Sequence, residues 1–268
     1  MYTKQDIFEQ LKAMRAPQDR VVLMHSSLRA VGEVEGGGEG LLDALVEYFT
    51  AKGGLFCVPT HTWDNLGKDC PTLDLSKSES NLGAFTCIAA ADPRALRTEN
   101  PTHSMAIFGD RARAEAFAAN EASVEQPTAA DSCYGKLYCE DGFVLLVGVS
   151  HASNTYLHAV AEMLSLPDRR AKQKTPVTVR RKTGEVIARE MWMFDEKYGD
   201  ISHRFPQYET AFRYHRCITD GFLGNAPTQL CHARGMHDVV KLIFARGKGA
   251  DPLADENPIA PILYCEKQ

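Results

Sequence analysis

The sequence predicts an α/β protein built around a layered sheet, and three observations near the amino terminus support this fold class. Residues 21–24 and 55–58 are short apolar runs with the length of buried strands. Between them, leucine, valine and phenylalanine recur at helical spacing over residues 41–49. Glycines at 36–38 and 53–54 stand where that helix should begin and end. A strand, a helix and a second strand in this order form the repeating unit of layered α/β sheets.

The same patterns assign the remaining elements along the chain. The polar, turn-rich residues 60–80 predict a long loop, a kind that is usually functional in a compact domain. Residues 143–149 predict a third buried strand. Helices are predicted over 84–91, 110–120, 154–166, 208–219 and 236–245. A hairpin is predicted over 176–189 with its turn at 182–185, and an edge strand over 259–264. Because no repeat or linker interrupts the chain, we expect one domain over residues 1–268.

Charge and hydropathy exclude several classes of protein. The chain has 30 Lys and Arg against 35 Asp and Glu, a net charge of −5, without a long run of one sign. The basic surface of a nucleic-acid-binding protein is therefore not expected. The first residues lack the apolar stretch of a signal peptide, and no apolar run is long enough to cross a bilayer. We expect a cytoplasmic protein that binds neither nucleic acid nor membrane.

The cysteine and histidine spacings argue against a metal site or a disulfide framework. None of the eight cysteines forms a C-x-x-C pair, and a chain of this kind usually keeps its thiols reduced. His232 and His237 are five residues apart, and no H-E-x-x-H motif is present. The G-x-S-x-G motif of a Ser-His-Asp hydrolase is absent as well. A cysteine nucleophile, Cys133 or Cys139 acting with His158, remains an alternative.

Three polar clusters follow or precede apolar runs and could carry chemistry. Residues 25–28 (HSSL) end a predicted strand, where hydroxyl and backbone N–H groups suit phosphate binding. Residues 100–104 (NPTHS) form a non-helical polar segment. His158 lies in the first turns of a predicted helix, where a neutral imidazole can take a proton from an attacking amine. Each cluster also has a purely structural alternative. The serines of residues 25–28 could cap a turn, residues 100–104 could form a hydrogen-bonded turn, and His158 could be a structural histidine.

The order of these clusters resembles the aminoglycoside 3-N-acetyltransferase family. The matching segments are residues 22–28 (VLMHSSL), the glycines at 36–38, and residues 55–62 (LFCVPTHT), 97–104 (RTENPTHS), 131–137 (DSCYGKL), 146–149 (LVGV) and 154–158 (NTYLH). The resemblance extends from about residue 21 to residue 243. It implies a three-layer α/β/α sandwich around a central mixed sheet, unrelated to the GNAT acetyltransferases.

The resemblance also implies roles for individual residues. Ser26, Ser27 and Leu28 would contact the phosphates and pantetheine of acetyl-CoA, the co-substrate, with His103 and Ser104 nearby. His158 would be the general base, oriented by a carboxylate that we assign to Glu209. No metal is expected.

The family commonly carries a glutamate three residues after its histidine, but this chain has Ala161 there and Glu162 next. Positions three and four residues along a helix share a face, so Glu162 can substitute. We expect Asp64, Glu99 and Glu162 to form an acidic pocket for a polyamine acceptor.

The predicted function is direct transfer of the acetyl group of acetyl-CoA to an amine of an aminoglycoside or aminoglycoside-like polyamine, with antibiotic resistance as the implied role. The protein would act as a monomer or homodimer. One alternative is a catalytically silent module that binds CoA or a nucleotide, since a fold does not fix an activity. Another is an acyltransferase that acts on an unrelated amine.

Overall fold

The computed structural model describes residues 1–65, 70–194 and 200–266 and places a seven-stranded mixed sheet at the centre of the protein. The strands are β1 (Val21–Ser26), β2 (Leu55–Pro59), β3 (Thr72–Asp74), β4 (Leu96–Arg97), β5 (Met105–Phe108), β6 (Phe143–Val147), β7 (Arg170–Arg180), β8 (Val186–Phe194), β9 (Ile218–Leu223) and β10 (Ala226–His232). The central sheet has the order β4-β5-β2-β1-β6-β10-β9. β1 pairs in parallel with β2 and β6, whereas β5 and β10 are antiparallel to their neighbours. The predicted mixed sheet is confirmed.

Helices cover both faces of this sheet. They are α1 (Lys4–Ala13), α2 (Leu28–Val31), α3 (Gly37–Thr50), α4 (Ala84–Ala91), α5 (Arg111–Ala118), α6 (Cys133–Cys139), α7 (Tyr156–Met163), α8 (Glu209–Tyr214) and α9 (Ala233–Arg246). Short 3₁₀ segments lie at Trp63–Asn65, His151–Ser153, Ile201–Tyr208 and Pro261–Leu263. No helix in the described ranges is long and apolar enough to cross a membrane.

Strand residues alternate between two separate hydrophobic cores. Val21 and Leu23 of β1 pack in one core with residues of α6, α7 and α9. Val22 and Met24 pack in the other core with residues of α1, α3 and α4. Since side chains of a strand point to opposite faces in turn, this separation establishes helices on both sides of one sheet. The three-layer α/β/α sandwich expected from the resemblance is confirmed.

A second, smaller sheet extends from the sandwich. It has the order β3-β7-β8, and its hairpin is longer than the predicted one, because β7 begins at Arg170 and β8 continues to Phe194. Gly184 has φ of +88° in the connecting turn, a conformation that favours glycine. The hairpin carries Phe194 to the carboxyl edge of the central sheet, where it contacts two histidines.

Two predictions near the carboxyl terminus are wrong. The helix expected over 208–219 ends at Tyr214; Arg216 then has φ of +57°, and the chain turns into β9 and β10, which the sequence analysis missed. The edge strand expected over 259–264 is instead a 3₁₀ turn over Pro261–Leu263. Pro258 and Pro261 explain this difference, because proline cannot donate a ladder hydrogen bond.

Candidate active site

Three histidines lie on one face of the sheet at its carboxyl edge. His25 belongs to β1, His61 follows β2 by two residues, and His103 precedes β5 by two residues. β5, β2 and β1 are neighbours, and the odd-numbered core residues of all three face α6 and α7. Backbone bonds from Thr60 N to Ser104 O (2.7 Å) and from Thr62 N to Thr102 O (3.0 Å) continue the β2–β5 ladder past the strand ends. We refer to His25, His61 and His103 as the histidine row.

Two members of the histidine row, His61 and His103, are held by contacts within the protein. The rings of His61 and His103 have centroids 4.4 Å apart. His61 Nε2 lies 2.7 Å from the hydroxyl oxygen of Tyr134 on α6, and His103 Nδ1 lies 2.8 Å from Thr102 Oγ1. Burial lowers the pKa of His25 and of His103 to about 3, and it holds the pKa of His61 well below its usual value. All three rings are therefore neutral at physiological pH.

His158 lies in the first turn of α7, beside the histidine row. Its ring contacts Phe194 of β8 at 4.5 Å and Phe205 at 4.8 Å between centroids. No hydrogen bond to the ring is found among the described residues, and the side chain keeps partial access to solvent. Burial lowers the pKa of His158 to about 4, against the attraction of Asp200 and with the repulsion of Arg169. The imidazole is thus neutral and has a nitrogen lone pair free to accept a proton.

The predicted phosphate-binding residues lie where β1 leads into α2, and Leu28 packs against the first turn of α3. Ser26 ends β1, and its buried hydroxyl has no partner in the described part of the chain. Ser27 precedes α2 without a side-chain cap bond. A Cβ built on Gly38 would lie 3.3 Å from Leu28 Cδ2 and 2.6 Å from Ile88 Cδ1, so glycine permits the close approach of α3 to Leu28 and Ile88. Hydroxyl groups beside the first turn of a long helix suit an anion.

Ser104 lies in the same region, but its hydroxyl bonds within the protein. Its Oγ donates to Thr60 O at 2.7 Å and accepts from Arg97 Nε at 3.3 Å. Arg97 also donates to Thr60 O, and burial lowers its pKa to about 10. These bonds tie the end of β2 to the start of β5. The structure thus places Ser104 beside His103 as part of the framework.

The three predicted acceptor-binding carboxylates have different surroundings. Glu162 lies one turn after His158 on α7, accepts a hydrogen bond from Thr128 Oγ1, and has its pKa raised to about 7 by burial. Glu99 accepts two hydrogen bonds from Arg181, at 2.7 and 2.8 Å. Asp64 is exposed in the Trp63–Asn65 turn. Of the three, Glu162 lies on the same helix as His158.

The structure places Glu209 beside a different histidine from the expected one. Its Oε1 accepts hydrogen bonds from Arg213 Nε at 2.9 Å and Gln229 Nε2 at 3.0 Å. Its charge acts on His151, whose pKa burial nevertheless lowers to about 4. The described contacts do not connect Glu209 with His158, so its orienting role stays a prediction.

The sequence analysis missed two residues near His158. Asp200 begins the Ile201–Tyr208 turn, which carries Phe205 onto His158, and its carboxylate accepts from Ser202 N at 3.0 Å. The other residue is His61, which joins His103 in the histidine row. Counting alternate residues outward from β2 and β5 would have placed both rings on one face. No comparable sequence signal marks Asp200.

The surroundings of Cys133 oppose its activation as a nucleophile. All eight cysteines are free, and Cys133 is fully buried. Burial and the nearby carboxylate of Glu121 raise its pKa well above the usual thiol value, which opposes formation of a thiolate. Over the described ranges, no group of three or more His, Cys, Asp or Glu could hold a metal ion.

Comparison with known proteins identifies the family. The family model described as aminoglycoside 3-N-acetyltransferase matches residues 23–245, most of the chain. The chain is 25% identical over 222 residues to the SPbeta prophage-derived aminoglycoside N(3')-acetyltransferase-like protein YokD of Bacillus subtilis, covering 76% of this chain and 80% of that protein. It is 27% identical over 229 residues to aminoglycoside N(3)-acetyltransferase VII of Streptomyces paromomycinus, covering 78% and 77%.

Solved structures share the fold. AAC-IIIb in a binary complex with CoASH matches with a TM-score of 0.78 at 21% identity, covering 93% of this chain and 98% of that one. A mutant of aminoglycoside acetyltransferase AAC(3)-IVa in complex with a gentamicin matches with a TM-score of 0.76 at 22% identity, covering 92% and 90%. The chain therefore belongs to the aminoglycoside 3-N-acetyltransferase family and is an acetyl-CoA-dependent N-acetyltransferase.

Proposed function

We propose that this protein transfers the acetyl group of acetyl-CoA directly to an amine of an aminoglycoside or aminoglycoside-like polyamine, with His158 as the general base. The observation that carries the proposal is the state of the His158 ring, which is neutral, partly accessible and without a hydrogen bond to the described residues. Its position at the carboxyl edge of the sheet, where ligands bind in open α/β folds, supports this role. The unit that acts is the single domain of residues 1–268.

The chemistry follows from the need to deprotonate the acceptor. A primary amine is mostly protonated at neutral pH and must lose its proton before or as it attacks a thioester. His158 accepts a proton from the amine, and the resulting imidazolium can return it to the departing thiolate. We propose that Asp200 supports this transient cation, in the role that the family resemblance gives to Glu209. Asp200 acts on His158, whereas Glu209 acts on His151.

In this proposal, acetyl-CoA and the acceptor amine bind on different sides of His158. Ser26, Ser27 and Leu28 bind the CoA phosphates and pantetheine at the first turn of α3, with His103 and Ser104 at the reacting end. Glu162, supported by Asp64 and Glu99, attracts the cationic acceptor. Burial raises the pKa of Glu162 despite the opposing charge of Arg170, and a cationic acceptor beside it would favour the ionised carboxylate.

Release of free CoA from acetyl-CoA in the presence of a panel of amines tests the proposal. The panel should contain aminoglycosides, linear polyamines and simple primary amines, with calorimetry to measure acetyl-CoA binding separately. We expect thiol release with at least one polycationic acceptor. Binding of CoA without thiol release from any amine would favour the silent module, and selective acetylation of a simple amine would favour an unrelated acceptor.

Mass spectrometry of the enzyme during turnover separates direct transfer from a cysteine mechanism. Direct transfer leaves no acetyl group on the protein. An acetyl thioester trapped on Cys133 or Cys139 would overturn the direct mechanism. The full burial of the Cys133 thiol and its raised pKa argue against a thioester on that residue.

A further inference from the structure

His103 is held more rigidly than its position in a loop would suggest. Its backbone N–H donates to Asn100 Oδ1 at 3.0 Å, and Asn100 in turn donates to Pro127 O at 2.8 Å. The ring packs at a tilt against the ring of His61, with centroids 4.4 Å apart, and meets the ring of Phe194 edge-on, with centroids 5.3 Å apart. Backbone and ring are therefore fixed before any ligand binds, which is the condition for effective electrostatic catalysis.

The hydrogen bond to Thr102 determines which ring nitrogen of His103 carries the proton. Thr102 is buried, and its hydroxyl has a single side-chain partner among the described residues, His103 Nδ1 at 2.8 Å. If Nδ1 carried the proton, it would donate to Thr102 and leave the buried hydroxyl hydrogen without an acceptor. Such a group is costly to bury. Thr102 therefore donates to Nδ1, and the neutral ring carries its proton on Nε2.

This arrangement leaves an N–H donor on the opposite end of the ring from Thr102. Nε2 has no hydrogen-bond partner within the described part of the chain. Phe194 contacts both His103 and His158, so the donor and the proposed base pack against the same aromatic ring. A neutral imidazole donor and a neutral imidazole acceptor thus share this edge of the sheet.

We propose that His103 is a second catalytic residue, whose Nε2–H donates to the thioester oxygen as it becomes an oxyanion, with Thr102 as the positioning residue that fixes this tautomer. The inference rests on the proposed acetyl transfer. The amine nitrogen bonds to the thioester carbon, the carbonyl electron pair moves to oxygen beside Nε2–H, and His158 takes the amine proton. The carbonyl then re-forms, the C–S bond breaks, and the thiolate leaves with a proton from His158. His103 stays neutral throughout, consistent with the burial that lowers its pKa to about 3.

A matched pair of variants tests the donor. Gln at position 103 can place an amide N–H near the position of Nε2–H, whereas Leu cannot donate. We expect His103→Leu to lower kcat by about a hundredfold, the usual effect of losing one oxyanion donor, with little change in KM for acetyl-CoA. His103→Gln should keep at least tenfold more of the wild-type kcat than His103→Leu. Equal losses in two folded variants, or an unaffected His103→Leu enzyme, would overturn the role.

The tautomer can be observed directly in the wild-type protein labelled with ¹⁵N-histidine. Nitrogen–proton correlation spectra distinguish a protonated ring nitrogen from an unprotonated one, and His103→Gln identifies the signal. We expect protonated Nε2 and unprotonated Nδ1 in His103, and a mixture of tautomers together with a lower kcat in Thr102→Val. A protonated Nδ1 in the wild type would overturn the inference even if acetyl transfer is observed.

The two proposals fail in different ways. A wild-type enzyme that transfers acetyl to none of the amines would refute the proposed function and, with it, the catalytic role of His103. An active wild-type enzyme with an unimpaired His103→Leu variant would refute the role of His103 alone.

Discussion

His151 and His158 are seven residues apart, and burial lowers the pKa of each to about 4, yet their surroundings differ. His151 is completely buried, its Nδ1 lies 3.1 Å from Asn154 Nδ2, and its ring packs against Phe212. His158 keeps access to solvent, and its ring makes no hydrogen bond to the described residues. A depressed pKa therefore does not identify the catalytic histidine by itself. The two histidines differ in access, because a substrate can reach the ring of His158 but not that of His151.

The carboxylates near the two histidines show the same contrast. Glu209 is held by Arg213 and Gln229, so its charge is already compensated where it acts on His151. Asp200 is exposed, and its described side-chain bond is to the Ser202 N–H. It keeps its charge available to a cation that forms on His158. The carboxylate with the better hydrogen-bond geometry is thus the less suited of the two to support catalysis.

The largest expected effect is on turnover when each histidine is replaced in turn. His158→Ala should lower kcat by roughly a hundredfold or more, the usual contribution of a general base, while CoA affinity is kept. His151→Ala should keep kcat within about threefold but lower the free energy of unfolding by roughly 2 kcal/mol, since it removes a packed core ring. Thiol-release kinetics and thermal unfolding measure the two effects. The reverse pattern would exchange the roles of the two histidines.

Glu162 should affect acceptor binding more than turnover. We expect Glu162→Gln to raise KM for a polycationic acceptor by about tenfold, as the loss of one charged hydrogen bond does, with kcat nearly unchanged. The carboxylate is ionised above its pKa of about 7, so wild-type kcat/KM should rise as the pH increases through that value. The variant should lack this rise. Asp64→Asn should have a smaller effect and raise KM by less than about threefold, because an exposed carboxylate attracts a cation more weakly than a buried one.

Much of the architecture follows from residue patterns that act locally. The strands predicted over residues 21–24 and 55–58 and the helix predicted over residues 41–49 are found where apolar periodicity places them, and the strand predicted over 143–149 ends at Val147. The hairpin of β9 and β10 was missed because β9 contains Asp220 and Gly221, which weaken its strand pattern. Apolar periodicity alone therefore predicts a helix or strand well when that element buries a face of its own.

The site could be predicted only where the chain places a functional side chain next to a recognisable element. His158, Ser26 and Ser27 adjoin a helix or strand that the sequence reveals. Asp200 begins a 3₁₀ turn after a long hairpin, and its charge acts on His158 only because tertiary packing brings that turn to α7. Glu209 was assigned from its position along the chain. In the structure its partners are Arg213, one turn along the same helix, and Gln229, which lies on β10.

The smallest expected effect is on kcat when Asp200 or Glu209 loses its charge. Asp200→Asn should lower kcat by about threefold to tenfold, because an exposed charge contributes about 1 kcal/mol or less at close range. Its effect should shrink at high salt and should nearly vanish in the His158→Ala background. Glu209→Gln should change kcat by less than about twofold. A larger loss in Glu209→Gln, non-additive with His158→Ala, would return the orienting role to Glu209.

The protonation state of His158 as a function of pH tests the central claim most directly. The five histidines whose pKa burial lowers are His25, His61, His103, His151 and His158. The folded state is favoured when they are neutral, so stability declines as the pH falls below the unfolded value of about 6.5. Circular dichroism must therefore confirm that the protein stays folded at each pH.

Between pH 8 and pH 5, ¹⁵N spectra of the folded wild-type protein should show His158 neutral, with His158→Gln identifying its signal. Such a result agrees with a pKa of about 4 and leaves the lone pair available throughout the working range. A titration midpoint at or above pH 7 would contradict the account. The ring would then already carry the proton that it is proposed to accept.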